Sequence, residues 1–538
     1  MKLTGGQALA QQLVCEGVTQ IFGIPGVQLD WAVDGLAGLN GAINYRVMRH
    51  EQAASYMADG YARSTGDPGV CMIVPGPGLL NATAGLATAY ACSSPVLCIT
   101  GHIASNAIGK GYGLLHEIKD QSGIMAAVTK WNGFAHKPEQ IPGLVREAFR
   151  QLRSGRPRPV GLEIPPDVLQ ASAEIDLIDP RDNGAGRTQP EASDISRAAA
   201  ILKSAQRPII YAGYGVQAAD ATDELVRVAE LLQAPVVTSI NGRGSISDRH
   251  PLALTFTAGK NVFETADVVL VVGSRFMSGG AIPVHANPAV KYVYLNVEET
   301  EFTAPRKVDA TILADAKLGL EALAAELADL PKRASRSDEV LKARAIADSQ
   351  VELIQPQAAF LHALRTAIPD DGVLVNEMTQ VGYISRVAYP VYQPRTFITQ
   401  GYQGTLGAGY ATALGVAAGN PGKAVVSING DGGFGFNMQE LITAHRYNLG
   451  VVAVVFSDNA YGNVKRLQKM QFNRNLGSDL VNPDWVKVAD ACNVPAQRVH
   501  TPDALQGAIQ DALAAGGPAL IEVPVGEMPN GMHLMTMK

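Results

Sequence analysis

The chain has few of the features that mark disulfide-rich, membrane-spanning or nucleic-acid-binding proteins. It contains only five cysteines among 538 residues, and no two of them form a Cys-x-x-Cys pair. Neither a zinc site nor a disulfide framework is therefore indicated. No apolar run approaches the roughly 18 residues that a membrane helix needs. The net charge of −6 and the pI of about 6.0 give no electrostatic reason to expect a nucleic-acid partner.

The composition is typical of a compact enzyme. Hydrophobic residues make up 47% of the chain, which also has 55 glycines and 31 prolines, and this favours an α/β protein over a disordered or fibrous one. Residues 1–7 lack the charged and apolar regions of a signal peptide, so we expect a cytoplasmic protein. A chain of 538 residues is too long for one core, which predicts three domains.

Short β-branched runs alternate with helical patterns along the whole chain. This alternation predicts three doubly wound α/β domains, each with a parallel sheet covered by helices on both faces. We place the N-terminal domain at residues 1–170, the middle domain at 190–330 and the C-terminal domain at 356–538. Residues 171–193, rich in Asp, Glu, Gly and Pro, are interpreted as a linker. Residues 331–355 are interpreted as a charged helical connector.

Two polar motifs follow two predicted strands of the C-terminal domain. Gly430-Asp431-Gly432 follows the apolar run 424–428, and Asp458-Asn459 follows the run 451–456. The segment between them, 436–448, is predicted to be an amphipathic helix. Open α/β sheets bind ligands at the carboxyl ends of their strands, so both motifs are predicted to lie at one ligand-binding edge.

The residue types at this edge suit a metal ion and a phosphate. Glycines at 430, 432 and 433 let backbone amides approach a phosphate closely, and a following helix N-terminus favours its charge. Asp431 and Asn459 supply the oxygen atoms that magnesium prefers. Asp-Gly is also an ordinary turn dipeptide, but its pairing with the second motif favours a metal–diphosphate site.

The two motifs resemble the signature of thiamine-diphosphate enzymes, Gly-Asp-Gly followed about 25 residues later by Asn-Asn. Asp458 stands where the signature has its first Asn. The resemblance implies that magnesium is bound by Asp431, by Asn459 and by the backbone carbonyl of Tyr461. It also implies that Gly430, Gly432 and Gly433 surround the diphosphate.

The N-terminal domain contains a second part of this resemblance. Arg49-His50-Glu51 resembles the family's Arg-His-Glu stretch, which implies that Glu51 protonates the aminopyrimidine ring and thereby activates the coenzyme. The alternative is an acidic residue that merely stabilises the first turn of a helix. Residues 76–81, Gly-Pro-Gly-x-x-Asn, resemble the segment beneath the pyrimidine, which implies cofactor contacts for Gly76 and Asn81.

A third segment, 401–407, resembles the loop that holds the diphosphate and the middle of the cofactor. The resemblance implies contacts from Gly404, Thr405 and Leu406, with Leu406 supporting thiamine in its bent form. Glycine-rich loops are common structural turns, and each segment alone is weak evidence. Together and in order, they extend the resemblance over essentially the whole chain.

Within this family the chain is most similar to acetolactate synthase and benzaldehyde lyase. Acetolactate synthases have Phe-Gln-Glu where this chain has Leu115-His116-Glu117, so His116 is a candidate acid, base or hydrogen-bond donor toward the substrate. The alternative is a histidine of a surface loop, or one whose hydrogen bonds are satisfied by backbone carbonyls. Gln28 could hydrogen-bond a substrate oxygen, or it could be a helix-capping amide.

The middle domain leaves its ligand open. Acetolactate synthases bind FAD there with an Arg-Phe-Asp-Asp stretch, and this chain has Arg-Phe-Met-Ser at residues 275–278. FAD is therefore not favoured. Other relatives bind ADP or a coenzyme A nucleotide in this domain, and some bind nothing.

The resemblance implies a thiamine-diphosphate-dependent carboligase or decarboxylase. Its donor would be a pyruvate-like 2-oxo acid, and its acceptor an aldehyde or a second oxo acid. The alternatives are a lyase that cleaves 2-hydroxy ketones or 2-hydroxyacyl-coenzyme A, and an inactive binding homologue. A dinucleotide oxidoreductase is disfavoured because no Gly-x-Gly-x-x-Gly opens a helix after a first strand. In this family the activating Glu and the diphosphate motif of one active site come from different subunits. The resemblance therefore implies a homodimer or homotetramer.

Overall fold

Three parallel sheets of six strands each form the framework of the protein. The computed structural model describes residues 1–179, 186–278, 282–283, 289–303 and 307–535. The strands are short, largely apolar runs, and strand Val268–Val272 is buried at all five positions. Such continuous apolar runs are expected of strands that are covered on both faces. The predicted fold class is therefore confirmed.

The N-terminal sheet has the strand order β3-β2-β4-β5-β7-β6. Its strands are β2 Gln20–Gly23, β3 Asn44–Val47, β4 Gly69–Ile73, β5 Val96–Gly101, β6 Trp131–Phe134 and β7 Val160–Ile164. Two further strands, β1 Lys2–Thr4 and β8 Ser172–Glu174, pair antiparallel. The helices are α1 Gly5–Cys15, α2 Asp30–Ala37, α3 Glu51–Thr65, α4 Pro77–Cys92, α5 Gln121–Val128, α6 Ile141–Arg153 and α7 Pro166–Gln170. Strand β8 lies in the segment 171–193, which was predicted to be a linker. The strand was not predicted because its pairing with β1 joins residues that are far apart in the chain and leave no local pattern.

The middle sheet has the order β11-β10-β9-β12-β15-β16. Its strands are β9 Pro208–Ala212, β10 Val236–Thr238, β11 Ala253–Leu254, β12 Val268–Val272, β15 Lys291–Asn296 and β16 Ala310–Leu313, with the short pair β13 Met277–Ser278 and β14 Ile282–Pro283 beside it. The helices are α8 Ala192–Ser204, α9 Tyr214–Ala218, α10 Thr222–Leu232, α11 Phe256–Phe263 and α12 Ala316–Glu326. The connector forms α13 Ser337–Glu352, which buries Val340, Ala343 and Ala347 in the middle-domain core.

The C-terminal sheet has the order β18-β17-β19-β20-β22-β21. Its strands are β17 Val373–Asn376, β18 Phe397–Ile398, β19 Val425–Gly430, β20 Val451–Ser457, β21 Ala496–Arg498 and β22 Ala519–Pro524. The helices are α14 Gln357–Ala367, α15 Gln380–Ala388, α16 Ala408–Gly419, α17 Asp431–Asn437, α18 Leu441–Tyr447, α19 Gly462–Phe472, α20 Trp485–Ala491 and α21 Pro502–Ala515.

The helix predicted at 436–448 differs from the observed one. It begins earlier, at Asp431, and a 3₁₀ turn at Met438–Glu440 divides it into α17 and α18. The early start was not predicted because the glycine-rich residues at the beginning of the segment have no apolar periodicity. The observed helix nevertheless has Asp431 in its first turn. A carboxylate is favoured there because it faces unpaired backbone amides.

The N- and C-terminal domains of one chain pack together through α3 and α16. A Cβ atom added to Gly60 would lie 2.0 Å from the carbonyl oxygen of Thr412, and one added to Gly415 would lie 2.0 Å from that of Met57. The glycines therefore allow the two helix backbones to meet. No helix in the described part of the chain is long and apolar enough to cross a membrane.

Candidate active site

Glu51 is the first residue of α3, and its side chain faces the start of α4. The amide of Asn81 donates to Glu51 Oε2 at 3.0 Å, and a Cβ atom on Gly78 would lie 3.6 Å from Glu51 Oε1. Glu51 is partly exposed, so its carboxylate remains accessible to a ligand. The structure thus brings together two residues, Glu51 and Asn81, that the sequence assigned to the pyrimidine side.

Gly76 forms a tight turn immediately before α4. Its φ of +59° is easily adopted only by glycine, and a Cβ there would lie 2.3 Å from the carbonyl oxygen of His116. The Gly76 amide donates to Gln121 Oε1 at 3.0 Å, and Gln121 Nε2 donates to the buried carboxylate of Glu163 at 2.9 Å. Gln121 and Glu163 were missed by the sequence analysis, since only the fold places them below this turn.

Gln28 and His116 form a hydrogen-bonded pair. Gln28 Nε2 donates to the carbonyl oxygen of Leu115 at 3.1 Å, and Gln28 Oε1 lies 3.0 Å from His116 Nδ1. Because the amide nitrogen is already used, the oxygen faces the ring, and His116 Nδ1 must carry the proton. In the neutral ring, Nε2 then keeps a free lone pair. His116 has a φ of +67°, which is uncommon for a residue with a side chain.

Asp431 and Asn459 lie together at the carboxyl ends of β19 and β20. Asp431 Oδ2 accepts from the Asn459 backbone amide at 2.7 Å. Asn482 Nδ2 donates to Asp431 Oδ2 at 2.7 Å and to Asn459 Oδ1 at 3.0 Å. One neutral amide group therefore donates to both side-chain oxygens, which shows that the two oxygens converge on a common point. Asn482 was missed by the sequence analysis, because it lies in a loop without a motif.

The neighbouring residues complete this edge. Gly430 ends β19, and Gly432 lies against the ring of Tyr461, since a Cβ on Gly432 would be 2.7 Å from Tyr461 Cε1. Tyr461 immediately precedes α19, and its carbonyl oxygen accepts from Lys465. Burial raises the pKa of Asp431, while the backbone amides of Asn459 and Gly432 oppose this.

Asp458, the departure from the signature, is a second acid at this edge. Burial raises its pKa to about 6, and the charge of Asp431 acts in the same direction. Asp458 Oδ1 accepts from the backbone amide of Ala460 at 3.1 Å. The Asp458 side chain therefore closes a local turn, and it lies close enough to Asp431 for the two charges to interact.

The side chain of Glu377 supports the loop 401–407. The Gly407 amide donates to Glu377 Oε1, and a Cβ on Gly433 would lie 2.3 Å from the same oxygen. Glu377 is fully buried, and burial raises its pKa to about 8. This acid supports both glycine segments of the predicted diphosphate site, and sequence patterns did not reveal it.

Within that loop, Gly404 has a φ of +58° and packs on Met378, whose Cε would lie 2.5 Å from an added Cβ. The hydroxyl of Thr405 lies 3.0 Å from that of Thr88 in α4. Leu406 is partly buried. Thr405 therefore links the C-terminal domain to the helix that carries Asn81.

A cavity of about 1130 Å³ lies where the three domains meet. Its walls include the carboxyl-terminal turns of the middle sheet at Gly213 and Gly273, and the cationic side chains of Arg156, Arg275 and Arg395. The guanidinium of Arg275 lies 4.7 Å from the ring centre of Tyr402. The cavity occupies the edge at which parallel sheets bind ligands.

Family models match all three domains. Residues 3–124 match the thiamine pyrophosphate enzyme N-terminal TPP binding domain, residues 195–323 the central domain and residues 378–523 the C-terminal TPP binding domain. The chain belongs to the thiamine pyrophosphate enzyme family. Its Glu51 cluster lies in the N-terminal match and its Asp431 cluster in the C-terminal match, and its cofactor is thiamine diphosphate.

Relatives of this family align with nearly the full chain. A probable acetolactate synthase large subunit of Methanocaldococcus jannaschii is 33% identical over 97% of this chain and 92% of its own length. The acetolactate synthase isozyme 3 large subunit of Escherichia coli is 32% identical over 95% of this chain and 92% of its own. A probable 2-ketoarginine decarboxylase of Pseudomonas aeruginosa is 32% identical over 97% and 94%. The chain is an enzyme that forms or breaks carbon–carbon bonds.

Proposed function

We propose that this enzyme is a 2-oxo acid carboligase similar to acetolactate synthase. It would decarboxylate a pyruvate-like donor and transfer the remaining fragment to an aldehyde or a second 2-oxo acid. When bound, thiamine diphosphate supplies a carbon nucleophile and an electron sink. The observation that carries the proposal is the full-length similarity to acetolactate synthase large subunits.

Glu51 is proposed to exchange a proton with the aminopyrimidine ring. Its carboxylate is accessible and is oriented by the amide of Asn81, so the second oxygen can face the ring. Proton transfer needs a heavy-atom separation of about 2.6–3.2 Å, and fixing one oxygen restricts where the other can lie. Gly76 and Asn81 would support the ring from the start of α4.

Magnesium is proposed to bind Asp431, Asn459 and the carbonyl oxygen of Tyr461. The donor set consists of hard oxygens, which suits this ion. The shared contact of Asn482 with Asp431 and Asn459 supports the fit, because the same two oxygens already converge on a positively polarised group. Diphosphate oxygens and water would complete the coordination.

The diphosphate is proposed to lie between two glycine segments, one containing Gly430, Gly432 and Gly433, the other Gly404. The buried acid below them, Glu377, spaces these segments through its contacts with Gly407 and Gly433. Thr405 and Leu406 would contact the middle of the cofactor. The amides of the first turn of α17 favour the negative charge.

His116 and Gln28 are proposed to face the substrate. The Nδ1–H tautomer set by Gln28 leaves His116 Nε2 able to accept a proton from the acceptor substrate or, once protonated, to donate one. His116 adjoins the Gly76 turn, and this contact supports a position for both residues beside the segment proposed to hold the pyrimidine.

The two clusters of one site are proposed to come from two copies of the chain. Leu80, beside Asn81, is 46% exposed, while Phe436 in α17 and Ile442 in α18 are 48% and 42% exposed. Apolar side chains exposed next to both clusters are typical of an interface. A homodimer, or a homotetramer built from two dimers, would cover them.

Mixed dimers test this assembly directly. Glu51→Gln and Asn459→Ala chains carrying different affinity tags would be co-expressed, and the doubly tagged dimer isolated. If each site uses two chains, one of the two sites is intact, and about half of the wild-type activity is expected for a two-fold dimer. If each site lies within one chain, the mixed dimer is inactive, as each pure variant is.

A decarboxylase without carboligation is the second candidate, favoured by the similarity to the probable 2-ketoarginine decarboxylase. A panel of 2-oxo acids, assayed for carbon dioxide release and for the carbon skeleton of the product, separates the two. Acetohydroxy acids or 2-hydroxy ketones support the carboligase, and free aldehyde alone supports the decarboxylase. Cleavage of benzoin without carbon dioxide release would instead indicate a lyase.

FAD is not favoured as an occupant of the large cavity. Its wall carries Arg275 stacked on Tyr402, and the two acids of the flavin-binding stretch are replaced by Met277 and Ser278. The visible absorbance of protein purified from cells grown with riboflavin is the measurement. A stoichiometric flavin spectrum would overturn this part of the proposal.

A further inference from the structure

The backbone turn before Glu51 is held by a residue of the other cofactor-binding domain. This turn, residues 47–50, links β3 to α3. Both carboxylate oxygens of Glu440 accept from the backbone amide of Arg49, at 3.1 and 3.2 Å. Glu440 lies 391 residues further along the chain and is fully buried.

Glu440 acts as an additional cap of α3. The first amides of a helix have no partner within it, and His50 Nδ1 accepts from one of them, the Gln52 amide, at 3.1 Å. The backbone amide of His50 also interacts with the Glu440 carboxylate. A negative charge at a helix N-terminus is favourable, and here it comes from the C-terminal domain.

Two more contacts hold the chain on either side of Glu51. The hydroxyl of Tyr447 accepts from the Val47 backbone amide at 2.7 Å. The amide of Asn437 lies 3.5 Å from Gln52 Oε1. Residues 437–447 of the C-terminal domain therefore contact the chain on both sides of Glu51, the proposed catalytic acid.

Among the residues that the structure describes, Glu440 has few other hydrogen-bond partners. Besides the backbone amides, the hydroxyl of Thr443 donates to Glu440 Oε2. Burying a carboxylate is costly unless it is hydrogen-bonded, so the donors at Arg49, His50 and Thr443 are what make this position tolerable. A buried acid whose main partners are the two amides before a catalytic residue is placed to orient that residue.

We propose that Glu440 is a positioning residue that fixes the carboxylate of Glu51 for proton exchange with the cofactor ring. This inference rests on the proposed function of Glu51. Glu440 itself is buried against backbone and does not touch the reacting atoms. Loosening the turn would shift Glu51, and a displacement of about 1 Å can reduce a rate about 100-fold.

The experiment compares Glu440→Gln and Glu440→Ala with wild type. Gln keeps one acceptor oxygen, and Ala keeps none, so effects should increase in that order. Glu522→Gln is the matched control, because Glu522 is a buried acid of the same domain whose partner is Arg498. Tyr447→Phe, which removes the contact with Val47, probes the same turn if Glu440→Ala does not fold.

The first readout needs no cofactor. Amide hydrogen exchange of residues 47–52 in the apo protein should accelerate by at least about 10-fold in Glu440→Ala, by less in Glu440→Gln, and not in the control. Unchanged exchange in both Glu440 variants would overturn the inference. This readout is independent of whether Glu51 is the catalytic acid.

The second readout uses the loaded enzyme. We expect kcat to fall about 10- to 100-fold in Glu440→Ala, with the dissociation constant of thiamine diphosphate changed by less than about 3-fold. A loss of activity explained fully by lost cofactor binding would overturn the positioning role. If Glu51→Gln is itself fully active, the proposed function fails instead, and the exchange result still stands for the turn.

Discussion

Gln28 Oε1 and His116 Nδ1 lie 3.0 Å apart, although 88 residues separate them in the chain. Gln28 uses its nitrogen to hold the carbonyl oxygen of Leu115. Its oxygen therefore faces His116 and selects the tautomer with the proton on Nδ1. A loop histidine with an uncommon backbone conformation is thus given a defined protonation pattern next to the Gly76 turn.

Replacing His116 separates acid–base chemistry from hydrogen bonding. His116→Gln, which introduces the residue that acetolactate synthases have at this place, should keep carbon dioxide release and change the ratio of carboligation to free aldehyde. His116→Ala should reduce carboligation further, by about 10²- to 10⁴-fold if the ring transfers a proton. Product ratios from one 2-oxo acid are the measurement. Identical ratios in all three proteins would remove His116 from the substrate side.

The pairing itself is measurable through Gln28. Gln28→Leu removes the acceptor for Nδ1–H, and its effect should not add to that of His116→Ala. A double-mutant cycle on kcat/KM should give a coupling energy of about 0.5–3 kcal/mol, as expected for residues in contact. Additive effects would mean that the hydrogen bond has no part in turnover.

Glu51→Gln should abolish turnover and largely preserve cofactor binding. The amide keeps the size of the side chain but cannot supply the proton, so we expect a loss of about 10²- to 10⁴-fold or more in kcat. Isothermal titration with thiamine diphosphate and magnesium, beside steady-state rates, is the measurement. Glu117→Gln, in the exposed loop near His116, is a control whose folding should be unaffected. Wild-type turnover by Glu51→Gln would refute the assignment.

Asp458→Asn should weaken magnesium binding at neutral pH and flatten its pH dependence. The pKa of Asp458 is raised to about 6, so the carboxyl becomes charged as the pH rises through that value. A nearby cation favours the charged form, and wild-type affinity for magnesium should therefore increase between about pH 5 and 7. Titrations at several pH values measure this. Parallel curves for variant and wild type would contradict it.

The buried acid Glu377 should make the free energy of unfolding depend on pH. Its pKa is raised from 4.5 to about 8 by burial, so the folded state favours the protonated form. The stabilising contribution is fully present below about pH 4.5 and is lost as the pH rises toward 8. Glu377→Gln stays neutral throughout. Its unfolding free energy should fall less than that of wild type across this window, as denaturant titrations at each pH would show.

Gly60→Ala should weaken the packing of α3 on α16. The added methyl group would lie 2.0 Å from a backbone oxygen of Thr412, and such overpacking costs about 1–3 kcal/mol. Gly507→Ala in α21 is the control, because nothing lies within 4 Å of its added Cβ. It should be neutral or should stabilise by up to about 1 kcal/mol, since alanine is the better helix former. Unfolding midpoints of both variants decide the comparison.

The sequence by itself determined the fold class and the alternation of strands with helices in the three domains. The apolar runs 424–428 and 451–456 were predicted to be strands, and the structure has β19 at Val425–Gly430 and β20 at Val451–Ser457. The prediction succeeds because buried parallel strands are continuous apolar stretches. It also determined that Asp431 and Asn459 share one edge, which follows from their positions after two neighbouring strands. Both predictions rest on local patterns of residues, which can be recognised in a single sequence.

Only the tertiary structure decided which side chains complete the site. Asn482 bridges Asp431 and Asn459, Glu377 supports two glycine segments, and Glu440 caps the turn before Glu51. The pairing of Gln28 with His116 belongs with them. Each of these contacts joins residues 23 to 391 positions apart, and such bonds impose no period or spacing on the sequence. They exist because packed sheets and helices bring distant backbone segments within hydrogen-bonding range.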